Sequence, residues 1–399
     1  MVTGATPRVQ GAPVGSGSVV PASRPARVTH LITGLDIGGA ETMLVRLLAA
    51  TDRSHVDSSV ISLTSGGALG AELSKLGIPL FTVGMKSGSL HAAAVARLIA
   101  RLREIRPDVL QTWLYHADLA GLIAGTLARV PRIAWNIRCS HLEPSDLPRF
   151  GQTLLRVLAV LSRFPAIVVC NSRAGQLAHA RIGYRPRAWS VIPNGVDTNI
   201  FRPDATAACA FREEIGVPRD VRLVGMLARL HPMKDYPTFF KAAAHIAAAR
   251  QDVHFVAVGR GVSGDAALND LVGELGLQSR ITLIEERRDP QHVLAALDIA
   301  VLSSRYGEGF PNVIAEAMAC STPCVVTDVG DSATIVGDTG IVVPPMDSAG
   351  MTAGILRLVE MSPVERKAIK IAARSRIITE YGISRSVARY EQLYLDLAR

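Results

Sequence analysis

The stretch YGEGFPNVIAEAMA, Tyr306 to Ala319, sets two carboxylates, Glu308 and Glu316, on either side of a Gly-Phe-Pro turn. An ionised carboxylate only accepts hydrogen bonds, which is what the vicinal hydroxyls of a sugar or a ribose require. If the whole stretch is helical, the pair lies roughly 12 Å apart along the axis. That span fits a nucleotide sugar, with ribose hydroxyls at one end, hexose hydroxyls at the other and phosphates between. Between the acids, Gly309, Phe310 and Pro311 open a helix. Its first residues, Asn312 and Val313, carry the backbone N–H groups that attract an anion. A solvated helix face accounts for most glutamates, so the pair needs company before it means a site.

Company comes from ARLHPMKD, which follows an apolar run and puts Arg229 and Lys234 on one loop. A guanidinium fork and an ammonium point charge at the end of a strand can clamp a diphosphate; solvated surface charge is the competing explanation. His116 stands after the apolar DVLQTWL, at the start of the helical HADLAGLIAG, where doubly wound folds place functional groups. A histidine there can instead be a helix-start residue bonded to Asp118 or to a backbone group. A third signal points elsewhere. Gly259-x-Gly261-x-x-Gly264 follows FVAV, and Glu285 ends the next strand about twenty residues on, the layout of a dinucleotide fingerprint. It would make the chain an NAD(P)-dependent oxidoreductase, but it follows the second strand of its half and not the first.

The elements that must hold these residues alternate along the chain. Strand-like RVTHLITGL, VDSSVISL, IPLFTVG, DVLQTWL, RIAWNIR and AIVVCNS are separated by helical patterns such as GAETMLVRLLAAT and LHAAAVARLIARLREIR. At WSVIPNGVDTNIFRPD the helices pause in a Pro/Asn/Gly/Asp-rich connector, the expected domain boundary. Alternation then resumes through VRLVGMLARL, VHFVAVG, ITLIEE, IAVLSS, PCVVTD and GIVVPP. Two tandem parallel sheets are expected, with a ligand cleft between them. The closing SRSVARYEQLYLDLAR is an amphipathic helix able to cross back onto the first domain. The expected organisation is a disordered leader over 1–26, a domain over 27–199, a second over 200–380, and the crossing helix over 381–399.

Composition narrows the partners. Residues 1–200 contain 21 Lys+Arg against 11 Asp+Glu, and residues 201–399 contain 22 against 24. The first half is therefore strongly basic, which suits an anionic surface or a lipid diphosphate. Arg101, Arg103, Arg106, Arg129, Arg132, Arg156 and Arg163 lack interleaved aromatics, so nucleic acid is not the expected partner. No apolar run reaches the roughly 20 residues of a spanning helix. The five cysteines form no CxxC pair, which leaves no zinc framework and fits a reducing cytoplasm. No DxD triplet offers a divalent-metal site, so metal-independent chemistry is expected, with cations and a helix N-terminus neutralising the phosphates.

Taken together, Glu308-x7-Glu316 in EGFPNVIAEAMA, the upstream Arg229-x4-Lys234 and the connector VIPNGVD resemble the retaining glycosyltransferases of family 4, from about residue 28 to the C-terminus. The resemblance implies the GT-B fold, an α/β architecture of two doubly wound Rossmann-like domains facing across a cleft. It implies hexose transfer from a nucleoside diphosphate sugar, expected to be UDP-linked, to an acceptor hydroxyl in exopolysaccharide, capsule or lipid-linked glycan synthesis. By it, Glu308 contacts the donor-sugar hydroxyls, Glu316 the ribose, and Arg229 with Lys234 the diphosphate. LDIGGAETML is similar to the family's N-terminal glycine loop, placing Gly38 and Gly39 against the phosphates or the acceptor. QTWLYHADLAG is similar to the region supplying the active-site histidine, here His116. EERRDP is similar to the loop near the base, with Arg287 and Asp289 present but Glu285 where glycine is usual; Ser321 also replaces a usual glycine. The protein is then expected in the cytoplasm, peripheral on the inner membrane face, with a lipid-linked or polysaccharide acceptor. A non-catalytic sugar-nucleotide binding protein is the alternative within the same reading.

Overall fold

The computed structural model describes residues 24–36, 38–85, 91–138, 140 and 149–399. Among them, seven strands form one sheet: β1 (Ala26–Ile32), β2 (Val56–Ser62), β3 (Leu80–Thr82), β4 (Val109–Trp113), β5 (Arg132–Ile137), β6 (Ile167–Cys170) and β7 (Trp189–Val191). Six form another: β8 (Arg222–Leu227), β9 (Val253–Val258), β10 (Ile281–Ile284), β11 (Ile299–Leu302), β12 (Cys324–Thr327) and β13 (Ile341–Val343). The orders are β3-β2-β1-β4-β5-β6-β7 and β10-β9-β8-β11-β12-β13, and the pairings are parallel. In each sheet the chain runs outward from the central strand, then returns to start again on its other side. The crevice between β1 and β4, and that between β8 and β11, are the switch points where such folds bind ligands. This is the GT-B architecture expected from the sequence.

Parallel strands are covered on both faces, which is why they are continuous in Val, Ile and Leu. Leu31 and Ile61 of the first sheet face one apolar cluster; Ile32 and Val60 face the other. In the second sheet, Val224 and Phe255 pack with Phe239 and Phe240, while Leu223 and Val256 pack with Ile314 and Met318. The helix Ile383–Ala398 inserts Val387, Tyr390 and Tyr394 into the first sheet's core beside Val28 and Trp113. Fully burying one such side chain contributes about 1.5–3 kcal/mol. Val196 is bonded to Tyr381 and Ile383 through the backbone, where the chain passes between the halves.

One strand is added and one boundary moves. Trp189–Val191 in the connector is a strand, β7, because Ser190 pairs with Val169 at the sheet edge; three residues are too few for any periodicity. β1 begins at Ala26 and Arg24 already grips Asp108 through two bonds of 2.8 and 2.9 Å, so the fold starts within the stretch assigned to a leader. The remainder of that leader, residues 1–23, lies outside the described residues.

Candidate functional site

In the second sheet, the loops after β8 and β11 leave adjacent strands at the switch point. The β8 loop carries Arg229, then a 3-10 turn, Pro232–Lys234, capped by the His231 ring accepting from Met233 N. The β11 loop runs from Ser303 to Pro311. Lys234 Nζ lies 2.5 Å from Glu308 Oε1, and Ser304 Oγ donates to the same oxygen at 2.5 Å. Ser303 ties the two loops further by bonding the Lys234 and Asp235 carbonyls. Glu308 is 6 % exposed, so its oxygens are satisfied by these partners more than by water. Arg229 is exposed on the same loop.

The helix after this loop is Asn312–Ala319, with Pro311 as its N-cap. Glu308 therefore precedes the helix, and the two glutamates do not share one axis; the 12 Å helical spacing does not apply. A Gly307 at φ 81° and the Gly309-Phe310-Pro311 turn redirect the chain between them. Gly309 cannot carry a side chain freely: a Cβ would come within 3.2 Å of both Asn171 and Ser172 of the first half. Phe310 is buried against the Tyr381 ring at 5.5 Å, and Val313 packs at the margin of the same core. Glu316, 9 % exposed, is held by Arg46 Nη1 at 2.8 Å. Arg46 comes from the helix Gly39–Ala50 after β1.

That helix has Gly38 as its N-cap residue. The Glu41 carboxylate folds back so closely that a Cβ on Gly38 would stand 2.3 Å from it, and a Cβ on Gly39 would lie 3.9 Å from Asn312. Burial raises the Glu41 pKa against the lowering effect of its helix-start amides and Arg138. Across β1's neighbour β4, Leu114 adopts φ 72°, a strained left-handed conformation for a branched residue. It turns Tyr115 and His116 towards a cavity of about 780 Å³ that Gly34, Asp36 and Glu41 also line. Burial lowers the His116 pKa. Asp118 is not the anchor of His116 that the sequence allowed for: its Oδ1 accepts from Thr112 Oγ1 at 2.5 Å, locking the helix's first turn to the end of β4. Burial pushes the Asp118 carboxyl well above its usual range.

Further contacts join the halves. Asp331 accepts from the backbone amides of Arg173 and Ala174 at 2.8 and 2.9 Å, closing the start of a first-domain helix. Asn194 donates to Asn312 at 2.6 Å and accepts from Arg138 at 2.5 Å. Ser140 donates to the Glu308 carbonyl. Arg46, Asp331, Asn194 and Ser304 escaped the sequence reading. Arg46 left a trace there, as the one charge within the apolar run TMLVRLLAA, and Asn194 and Ser304 lie within the quoted VIPNGVD and IAVLSS without having been singled out.

Arg287 stands on a different loop of the second sheet. It follows β10, the sheet edge, where Asp289 takes it in two bonds (2.8 and 2.9 Å), Glu214 in a third (2.6 Å), and the Phe211 ring lies 5.3 Å below. Its guanidinium is committed to protein partners. The dinucleotide fingerprint fails for a related reason. The Gly261 amide, which would face a pyrophosphate, bonds Glu285 at 2.8 Å, and Asp265 caps the following helix through Leu268 N. Gly259 is explained by packing, since a Cβ would meet the Ala228 carbonyl at 1.8 Å. Among the described residues, no three His, Cys, Asp or Glu side chains stand together as a metal site. Cys320 and Cys324 are buried free thiols, with the Cys320 pKa pushed up to about 12. Ser321 occupies φ 63°, a glycine-favouring conformation.

Two facing doubly wound sheets with cations, carboxylates and a helix start at the switch points define a nucleotide-sugar type of transferase architecture. Residues 37–200 match the profile of Glycosyltransferase Family 4, and residues 221–361 that of Glycosyl transferases group 1. The D-inositol 3-phosphate glycosyltransferase of Thermobispora bispora is 30 % identical over 327 residues, 76 % of this chain and 74 % of that one. A UDP-Gal:alpha-D-GlcNAc-diphosphoundecaprenol alpha-1,3-galactosyltransferase of Escherichia coli is 24 % identical over 304 residues, 74 % and 77 % of the two chains. The crystal structure of Anabaena HepE in complex with UDP-glucose superposes with a TM-score of 0.76 at 26 % identity, covering 92 % of this chain and 99 % of that one. The chain belongs to glycosyltransferase family 4 and is a glycosyltransferase.

Proposed function

We propose that the protein transfers a hexose from a UDP-sugar to a hydroxyl of a lipid-linked or polysaccharide acceptor, with retention of anomeric configuration. The donor lies mainly on residues 200–380 and the acceptor on residues 27–199. One observation carries this reading. At the β8/β11 switch point, Glu308 is held by Lys234 and Ser304 beside the exposed Arg229. Glu308 keeps one oxygen for the hexose hydroxyls, Lys234 keeps two of its three N–H donors for phosphate, and Arg229 supplies a fork. The Gly309-to-Val313 helix start and Gly38 with Gly39 add backbone dipoles, and Glu316 receives the ribose. As the C1–O bond to the diphosphate breaks, its electrons go to the phosphate oxygen, where these cations stabilise them. The acceptor oxygen bonds to C1 on the same face and passes its proton to the departing phosphate. His116, at the acceptor-side cavity, contacts the hexose near C1. Arg287 is not included, since its ion pairs already occupy it.

The HepE complex with UDP-glucose supports the choice of uridine, and the E. coli relative's name supports a diphosphate-lipid acceptor. Among the described residues no helix is long and apolar enough to cross a membrane. Peripheral association is supported by the packed helices Tyr115–Leu127 and Arg149–Leu161. There Leu127, Val157 and Val160 are exposed near Arg129, Arg132, Arg156 and Arg163, with Phe164 just beyond. Exposed apolar side chains interspersed in sequence with exposed arginines suit an anionic lipid surface. The test is a screen of UDP-, GDP- and ADP-sugars for nucleoside diphosphate release, with and without polyprenyl-diphosphate acceptors. UDP release that needs the acceptor is expected. Tight UDP-sugar binding without release in any combination would make the protein a binder and sink the proposal.

A further inference from the structure

The ribose carboxylate is paired across the cleft with a residue that the proposed reaction does not use. Arg46 stands in the helix Gly39–Ala50, and its Nη1 lies 2.8 Å from Glu316 Oε1 in the helix Asn312–Ala319. Neither group is on the surface: the side chains are 23 % and 11 % exposed. The guanidinium also lies 5.3 Å from the centre of the buried Phe201 ring, which fixes its plane from a second side. Both helices start at the cleft, where Asn194 bonds Asn312 and Gly39 approaches it. Arg46 is thus held by a stacked ring and an ion pair, and aimed at one oxygen of Glu316.

We infer that Arg46 is a positioning residue for nucleotide recognition, orienting Glu316 so that its second oxygen meets the ribose hydroxyls. This rests on the placing of ribose at Glu316 proposed above. The Arg46 bond takes Oε1 of this largely buried carboxylate and leaves its other oxygen to accept from the ribose diol. Because Arg46 belongs to the first half and Glu316 to the second, the ribose contact is complete only when the halves are apposed. Nucleotide binding and closure of the cleft are then coupled through one ion pair.

The experiment is UDP titration by calorimetry on the full chain, with 2′,3′-dideoxy-UDP as the comparison ligand. Arg46→Ala is expected to weaken UDP about tenfold and to leave dideoxy-UDP unchanged, since only the diol reports on Glu316. Arg46→Lys should recover most of the loss. In a Glu316→Gln background, Arg46→Ala should cost nothing further, because the partner it positions is gone. Equal weakening of UDP and dideoxy-UDP, or additive losses in the double variant, would overturn the inference and make Arg46 a general brace. Unchanged UDP affinity in Arg46→Ala would overturn it as well. Glu316→Gln with unaltered UDP affinity would instead remove the ribose assignment beneath it, a separate failure.

Discussion

The two switch points are built alike at their base and differently at their mouth. Asp108 precedes β4 and accepts from Arg27 N of β1 at 2.9 Å, while its own N–H returns to the Arg27 carbonyl at 2.8 Å. Asp298 precedes β11 and does the same with Leu223 of β8, at 3.0 and 2.8 Å. Each ring staples a central strand to its neighbour. At the carboxyl ends the likeness stops. The second sheet presents Lys234 paired with Glu308 and an exposed Arg229; the first presents a cavity with Asp36, Glu41 and His116. The half with the larger positive charge thus carries the more acidic mouth, and the slightly acidic half carries the cations. Net charge counts every residue of a half, whereas a ligand meets only those at the strand ends. The first half's arginines gather instead on its outer helices, which is where a charged surface partner would feel them.

The sharpest way to break this comparison is through the staples. Asp298 is bound by Arg212 at 2.6 Å and Arg222 at 3.3 Å, both largely out of water. Asp298→Ala should cost about 3–5 kcal/mol in a urea melt, because it leaves buried guanidinium charge unpaired. Asp108→Ala removes one backbone bond and exposed partners, and should cost about 1 kcal/mol. Equal losses would mean that the two bases are not matched to different loads. Both carboxyls titrate low. The Arg24 bond dominates at Asp108; at Asp298 burial opposes ionisation, but the Leu223 amide and Arg212 outweigh it. Native pKa values below the ordinary 3.8 mean stability present above that pH and lost as pH falls through the lower native values. The Asp298→Ala variant should show a flatter acid limb of Tm against pH.

The mouths should fail differently. His116→Ala and Glu308→Gln are each expected to lower turnover at least about a hundredfold, near 3 kcal/mol of transition-state stabilisation, with UDP affinity kept. Burial lowers the His116 pKa, so any acid limb in kcat that it causes should lie below the ordinary 6.5 and vanish in His116→Ala. A His116→Ala variant that melts several degrees lower yet keeps its turnover would make the histidine structural. Excess EDTA should leave activity within a few-fold; a collapse restored by Mg²⁺ or Mn²⁺ would hand the phosphate charge to an ion. Smallest of all, Arg156→Glu with Arg163→Glu should abolish salt-sensitive binding to phosphatidylglycerol vesicles while leaving UDP release from a soluble acceptor unchanged. Binding that persists in the double variant would free the arginine face from the membrane reading.

The architecture was legible because strand–helix alternation is local chemistry. Apolar strands such as VLQTW and VHFVAV, alternating with helices, suit a doubly covered parallel sheet, and Gly259 marks the end of the second. The positions of Glu308, Lys234, Arg229, Gly39 and His116 in loops and helix starts after strands were legible for the same reason. What eluded the sequence was anything joining distant segments. Glu285 and Arg287 are both acid or base at a strand end, yet one binds the Gly261 amide and the other Asp289 and Glu214.

By itself the sequence determined two doubly wound halves, their switch-point residues and the family to which they belong. Tertiary structure alone decided that Glu308 lies before the helix and Glu316 within it, and that Arg46 reaches Glu316 across 270 positions. It also decided that Asp331 closes a helix of the other half. Periodicity follows from dihedral angles repeated over neighbouring residues. Such long-range pairings depend on how two separately folded sheets come to face one another, and no run of neighbouring residues encodes that.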